Sequence, residues 1–283
     1  MRNDFLIDTQ SAGFVADEVV VKAGKRNWVY QPTVAETGDR FAPKKIDADS
    51  VAKTRKLLDG AVAYAWKTVK SKRKPPALTR TRWVWRLAGS YHLCHPTKAL
   101  MEEALSRFAA TGRESLAQWA AEKATEEAGH DRLALLDIQS MGYDAEAVVK
   151  ALFPPAAKTL VDYFTQSVYA TDPIGCVGYC YTSERLAICR GEDYIQKVKA
   201  QLPPDTADAT RCLRVHSGVG ADMKHVEETI AMVAGLALQE RTRVAAACYE
   251  TALLCFSPPK ENYISEEELE YVLKPLEHTK NHN

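Results

Sequence analysis

From Asp49 onward the apolar residues recur at the three- and four-residue spacing of an amphipathic helix. Almost no stretch alternates with the period of two that marks a half-buried strand. DADSVAKTRKLLDGAVAYAWKTVK places Val51, Leu57, Leu58, Val62 and Ala65 at helical spacing and opens on Asp and Ser cap candidates, and Pro75 and Pro76 stop it. A second helical stretch runs from about 81 to 110 and divides at Pro96. A third follows Gly112 and closes at Gly142, and DAEAVVKALF is stopped by Pro154 and Pro155. PAAKTLVDYFTQSVYAT and DPIGCVGYCYTSERLAICRGEDYIQKVKAQL come next. The text from ADATRC to ALLCF reads as one long or bent helix. These elements predict an all-α fold, a bundle of about seven or eight helices.

The ends read differently. Residues 1–48 are mixed and mostly irregular, with VVVKAG as a short strand, and form an N-terminal extension that packs on the main domain or stays partly mobile. Residues 49–256 form the helical domain, and 257–283 a C-terminal tail with a short acidic helix.

Composition narrows the function classes. In 283 residues, Lys+Arg and Asp+Glu balance at 37 each, which removes any global pull toward nucleic acid or a membrane surface. No apolar run approaches the ~20 residues of a membrane helix. MRNDFLIDTQ lacks the apolar segment of a signal peptide. The seven cysteines form no CxxC pair, and Cys176, Cys180, Cys212 and Cys248 lie in apolar helical text. They read as reduced, buried thiols of a cytoplasmic protein rather than as disulfides or metal ligands. The basic run Lys67, Lys70, Lys72, Arg73, Lys74, Arg80 and Arg82 reads as a solvated inter-helix loop.

Three stretches hold candidate chemistry. In TEEAGHDRL, Glu127 and His130 are three apart, about 60° around a helix and within reach of one ion. Glu126, four residues before His130, shares that side, and the choice between the two glutamates stays open. In GYCYTSERLAI, Glu184 sits in apolar text, where a carboxylate is costly unless paired or metal-bound. In HSGVGADMKH, Asp222 and His225 repeat the three-residue spacing. Each stretch alone also has a bland reading: a solvated Glu–His pair, or a Glu184–Arg185 ion pair. Together they hold three of the seven histidines. Of the others, His92 and His95 read as structural residues at a helix end, and His278 and His282 as solvated tail.

EEAGHDRLALLDIQSMG, GYCYTSERLAI and RVHSGVGADMKHVEET, in that order, resemble the haem-oxygenase-like diiron oxidases and oxygenases. That superfamily also holds thiaminase-II-like proteins and pyrroloquinoline quinone synthase. The resemblance spans roughly 80–256 and implies a haem-oxygenase-like bundle. It implies six metal ligands: Glu127, His130, Glu184, His216, Asp222 and His225. It further implies two irons per chain cycling between Fe(II) and Fe(III), with O₂ as co-substrate, in a nonhaem iron-dependent oxidoreductase. The implied substrate is a small carboxylate-bearing molecule, an amino acid or fatty acid, undergoing N-oxygenation, C–C cleavage or decarboxylation. An external electron donor and a homodimer are compatible with it; nucleic acid and membrane partners are not expected. Carboxylate and imidazole suit iron and leave positions open for O₂ and substrate. The first helix lacks the proximal histidine a haem would need. Arg185 and Arg214 are candidates to grip a substrate carboxylate, with Tyr181 lining the cavity. Two other functions fit the same residues: a ferritin-like iron-binding or ferroxidase protein, and a metal-free thiaminase-like or binding protein using Glu184 and a cysteine.

The late motif departs from the family pattern. The resembling proteins space these ligands His-x₃-Asp-x₂-His, which shares one helix face. Here Gly218 stands where the first histidine belongs, and His216 is two residues earlier. On an unbroken helix His216 would face about 180° from His225. Gly218 and Gly220 therefore predict a bulge or broken turn that swings His216 back.

Overall fold

In the computed structural model, residues 11–15, 18–23, 26–30, 47–69, 76–202, 208–220 and 222–278 are described. The first described residues form a three-stranded antiparallel sheet in the order β1 (Ser11–Val15), β2 (Glu18–Ala23), β3 (Arg26–Tyr30). Ala12 pairs with Val21, and Val20 with Val29. The strand expected at VVVKAG is β2, and β1 lies along the first helix. Among the described residues after the sheet, the regular elements are helices, as the period-3.6 text predicts.

Local signals set most boundaries. Asp47 caps α1 (Ala48–Thr68) by accepting from Ser50 N at 2.7 Å, and Thr79 caps α2 (Arg80–Cys94) through Arg82 N. Helix α1 ends at Val69, several residues before the two prolines expected to stop it. Pro96 separates α2 from α3 (Thr97–Ala110). The stretch from Gly112 to Gly142 divides into α4 (Glu114–Glu126) and α5 (His130–Ser140). Next come α6 (Ala145–Ala151), α7 (Pro155–Tyr169), α8 (Gly175–Ala187) and α9 (Glu192–Lys199). The run read as one long or bent helix is three: α10 (Arg211–Val215), α11 (Asp222–Ala234) and α12 (Leu238–Phe256). Helix α13 (Glu266–Leu273) is the last α-helix of the described chain, followed by a 3-10 turn at Lys274–Leu276. Eight of these helices (α1–α4, α7, α8, α11 and α12) reach thirteen residues or more, which is the size of the bundle expected from the periodicity. The extra segments come from breaks inside long helical text.

Two apolar clusters form the core. One joins α1, α3, α4, α7, α8, α11 and α12 through Leu58, Phe108, Trp119, Phe164, Tyr181 and Ile230. The other joins α2, α5, α6, α9, α10 and α13 through Trp83, Ile138, Val148, Ile195, Leu213 and Leu269. Each fully buried large apolar side chain contributes about 1.5–3 kcal/mol. Polar tips are satisfied: Trp119 Nε1 donates to Thr229 Oγ1 at 3.1 Å and ties α4 to α11.

The C-terminal segment belongs to this core. Leu269 and Leu273 are fully buried, and Ser265 and Glu268 close a capping box at the start of α13. Arg80 and Arg82 join the tail rather than a solvated loop: Arg80 Nη1 meets Glu277 at 2.7 Å, and the buried Arg82 donates to Ile264 O at 2.9 Å. Lys70, Lys72, Arg73 and Lys74 lie outside the described residues, as does His282. Among the described residues, no helix is long and apolar enough to cross a membrane.

Candidate metal centre

The candidate ligands stand where α4, α8 and α11 of one cluster face α5 and α10 of the other, and most of them stand at helix ends. Glu127 terminates α4 and His130 opens α5. Between them Gly129 takes φ +84°, the left-handed conformation that glycine accepts at no steric cost. The two residues read as one helix face are therefore joined by a turn, with His130 N donating to Glu127 O at 3.3 Å. The turn still brings the side chains together, with His130 Nδ1 3.0 Å from Glu127 Oε2.

The second break is in HSGVGADMKH. Helix α10 ends at Val215, His216 leaves the helical region (φ −94°, ψ 62°), and α11 starts at Asp222. Gly218 N donates to Arg190 O and Gly220 N to Ser217 O. Neither glycine has a positive φ; what they supply is space. A Cβ on Gly218 would stand 2.6 Å from Ile188 O, and one on Gly220 2.1 Å from Val215 O and 2.5 Å from Arg214 O. The chain folds back against its own last turn, and only a residue without a side chain fits. His216 thereby comes edge-on to His130, ring centroids 4.8 Å apart, with Nδ1 3.6 Å from Asp222 Oδ1.

All six predicted ligands thus converge. Two three-residue groups have their donor atoms within 4.8 Å of one another: Glu127, His130 and His216, and Glu127, Glu184 and His225. Glu127 is common to both. Asp222 lies by each group, with Oδ1 3.6 Å from His216 Nδ1 and 3.8 Å from His225 Nδ1. Glu126 also reaches the cluster, with Oε2 3.2 Å from His225 Nε2.

The cluster holds buried polar atoms that the protein leaves without hydrogen bonds. Asp222 is 1% exposed, and neither carboxylate oxygen has a hydrogen-bond partner. Glu184 Oε2, Glu126 Oε2 and His225 Nδ1 are in the same position. Such orphaned carboxylates are costly in a protein interior. Burial pushes the Glu184 carboxyl up to about 8, against the pull of Lys123. Burial also opposes charge on His216, but Asp222 and Glu127 outweigh it and hold the imidazole up at about 9. His225 is lowered by burial and by Lys123. Burial would raise Glu127, yet His130 and His216 carry it below the ordinary carboxylate range.

Lys123 is the residue that the motifs did not reveal. It is 3% exposed, with Nζ 2.9 Å from Glu184 Oε1 and 3.4 Å from Glu126 Oε2. The contact with Glu184 has ion-pair distance without hydrogen-bond alignment. Burial would lower this lysine, but Glu184 and Glu126 outweigh it and raise it. A signal was available: Lys123 is four residues before Glu127 and four after Trp119, on the apolar side of α4.

The proposed substrate residues are engaged elsewhere. Arg185 Nε and Tyr181 Oη both donate to Asp59 Oδ1 on α1, at 2.7 and 2.9 Å. Arg214 pairs with Glu192 at 3.2 Å in an exposed position. Both arginines follow the simpler rule that a guanidinium takes a neighbouring carboxylate. All seven cysteines are free, and the four expected to be buried are. Cys94 and Cys212 nevertheless adjoin the site, since His216 Nε2 contacts Cys94 Sγ at 3.6 Å and the three form a further group of donor atoms. His92 is held by the Val149 and Leu152 carbonyls and His95 by Asp131. Two open surface hollows, one around His92 and His95 and one between α7 and α12, are lined by none of the ligand candidates.

No protein-family model matches the sequence, and no curated protein matches it. Solved structures do match the fold. A domain of unknown function with a haem oxygenase-like fold from Shewanella denitrificans superposes with a TM-score of 0.54 at 19% identity, covering 80% of this chain and 90% of that one. A TenA homologue from Pseudomonas syringae pv. tomato superposes with a TM-score of 0.53 at 13% identity, covering 79% of this chain and 96% of that one. The architecture is the haem-oxygenase-like fold.

Proposed function

Starting from a haem-oxygenase-like fold with a buried carboxylate–imidazole cluster, we propose that the protein is a nonhaem diiron oxidase or oxygenase acting on a small carboxylate-bearing molecule. The observation that carries this reading is Glu127, the one carboxylate shared by two separate three-residue donor groups. Glu127, His130 and His216 would hold one iron and Glu127, Glu184 and His225 the other, with Asp222 beside both histidines of α10–α11. The donor set fits: hard carboxylates and imidazoles, several of them buried without a hydrogen bond. When bound, two irons supply electrons for the reduction of O₂ next to a substrate C–H or N–H bond.

The chain's own residues prepare that chemistry. The breaks at Gly129 and at 216–221 aim ligands from four helix ends at one place. Trp119, Ile230 and Tyr181 pack the helices that carry the cluster. Among the described residues, Lys123 is the only lysine or arginine within ion-pair distance of the cluster's carboxylates; a substrate carboxylate entering the site would meet it rather than Arg185 or Arg214.

Anaerobic loading of the metal-free protein with Fe(II), followed by elemental analysis, is expected to give about two irons per chain. His130→Ala and His225→Ala should each lose iron, and oxygen uptake should follow the retained iron. A wild-type protein that retains no iron would end this reading. The Lys123–Glu184 contact favours one rival, a metal-free thiaminase-like or binding protein, because an ammonium neutralises Glu184 without any metal. That rival predicts unchanged behaviour in His130→Ala.

A further inference from the structure

We propose that the Lys123 ammonium is a built-in counter-charge of the Glu127–Glu184–His225 position, so that this position takes its divalent cation second, and more weakly than the Glu127–His130–His216 position. The inference rests on the two-metal reading and adds an order and an affinity difference to it.

The argument is one of placement and charge. Among the described residues, Lys123 is the only lysine or arginine within ion-pair distance of Glu126, Glu127, Glu184 or Asp222. It does not stand evenly between the two positions. Its Nζ is 2.9 Å from Glu184 and 3.4 Å from Glu126, and Glu126 in turn is 3.2 Å from His225. Glu184 Oε1 faces both Lys123 Nζ and His225 Nδ1, the latter at 3.7 Å. A divalent ion held by Glu184 and His225 therefore shares its carboxylate with an ammonium that is almost wholly buried and cannot be screened by water. The other position, reached by His130 and His216 from α5 and α10, has no such neighbour.

Formal charge gives the same order. With the imidazoles neutral and Glu184 ionised, as ligands to a cation must be, four carboxylates and one ammonium leave the cluster three minus. One divalent cation leaves it one minus, and a second carries it past neutrality to one plus. Without the ammonium, the same two cations take it from four minus to zero. Lys123 thus sets the point at which further cations stop being attracted. Its stem of four methylenes allows the ammonium to withdraw when the second ion arrives, and that displacement is what weakens the second step.

Co(II) is the probe, because its visible absorption follows binding and needs no turnover, and His225→Ala assigns the steps. The metal-free full-length protein, Lys123→Met, His225→Ala and the double variant are titrated with Co(II) by calorimetry and absorption. The wild type is expected to bind two ions in resolved steps. Lys123→Met should tighten the second step by at least about tenfold while moving the first by less than about threefold. His225→Ala should retain the first step only, and adding Lys123→Met to it should change little. Lys123→Gln, which keeps a polar head, replaces the methionine variant if that one does not fold. An unchanged second step, or equal tightening of both steps, overturns the proposal while leaving the two-metal reading intact. Failure of the wild type to bind any Co(II) ends both.

Discussion

His216 Nδ1 lies 3.6 Å from Asp222 Oδ1, although an unbroken helix would set these residues about 120° apart around its axis. The approach depends on Gly220, whose missing Cβ would otherwise stand 2.1 Å from Val215 O. Gly220→Ala is therefore expected to cost about 1–3 kcal/mol of stability and to weaken metal binding at the His216 position. Gly191→Ala is the control, since nothing lies within 4 Å of the added methyl. Thermal unfolding and Co(II) titration of the pair check this; equal behaviour of the two variants would contradict it.

Asp222 should trade stability for binding. Its two buried oxygens lack hydrogen bonds, so Asp222→Ala is expected to stabilise the metal-free protein by about 1–3 kcal/mol. The wild type should gain about 2.7 kcal/mol from metal at a hundred times its Kd. The variant should lose most of that gain. Denaturant unfolding with and without metal reads both effects, and a variant less stable than wild type without metal would contradict the assignment.

Arg185 is expected to act on the fold rather than on a substrate. It shares Asp59 with Tyr181, and Arg185→Ala leaves that half-buried carboxylate with one partner. A loss of about 1–3 kcal/mol with unchanged metal stoichiometry is expected. A variant with full stability and a raised KM for a carboxylate substrate would restore Arg185 to the binding role.

The C-terminal segment should behave as core. Leu273→Ala is expected to cost about 2–5 kcal/mol, as for any fully buried leucine. Removal of residues 257–283 should lower the melting temperature of the whole helical domain. A truncated protein that melts like the full chain would show the segment to be an appendage.

These residues also show what the chain made legible. Helical periodicity gave the all-α class because each long helix buries one stripe, and stripe spacing is written directly in the sequence. The joint appearance of Glu127, His130, Glu184, Asp222 and His225 was readable because a carboxylate-x-x-His spacing recurs in two helical stretches with a lone glutamate in apolar text between them. The breaks were harder. Gly129 stands inside helical text, and its left-handed φ is a property of the folded turn and not of the local pattern. HSGVGADMKH could be read as a break only because the angle count made a straight helix incompatible with His216 as a ligand. Lys123 is marked in the sequence only by its place on the apolar side of α4; its partner Glu184 lies sixty-one residues away, and no local pattern records that pairing. Arg185 shows the converse: proximity in sequence to Glu184 says nothing of its partner Asp59 on α1.

Four of the six ligand candidates, Glu127, His130, His216 and Asp222, stand at joints between helices and not within them. A joint has few backbone hydrogen bonds of its own and is where a helical bundle first opens. An ion gripped there would act as a latch on local opening as well as a reaction centre. Amide exchange at 127–130 and 216–220 should slow sharply on loading, while the interior of α12 keeps its rate. The two motifs that break the helical pattern would then be the segments whose opening reports whether the centre is filled.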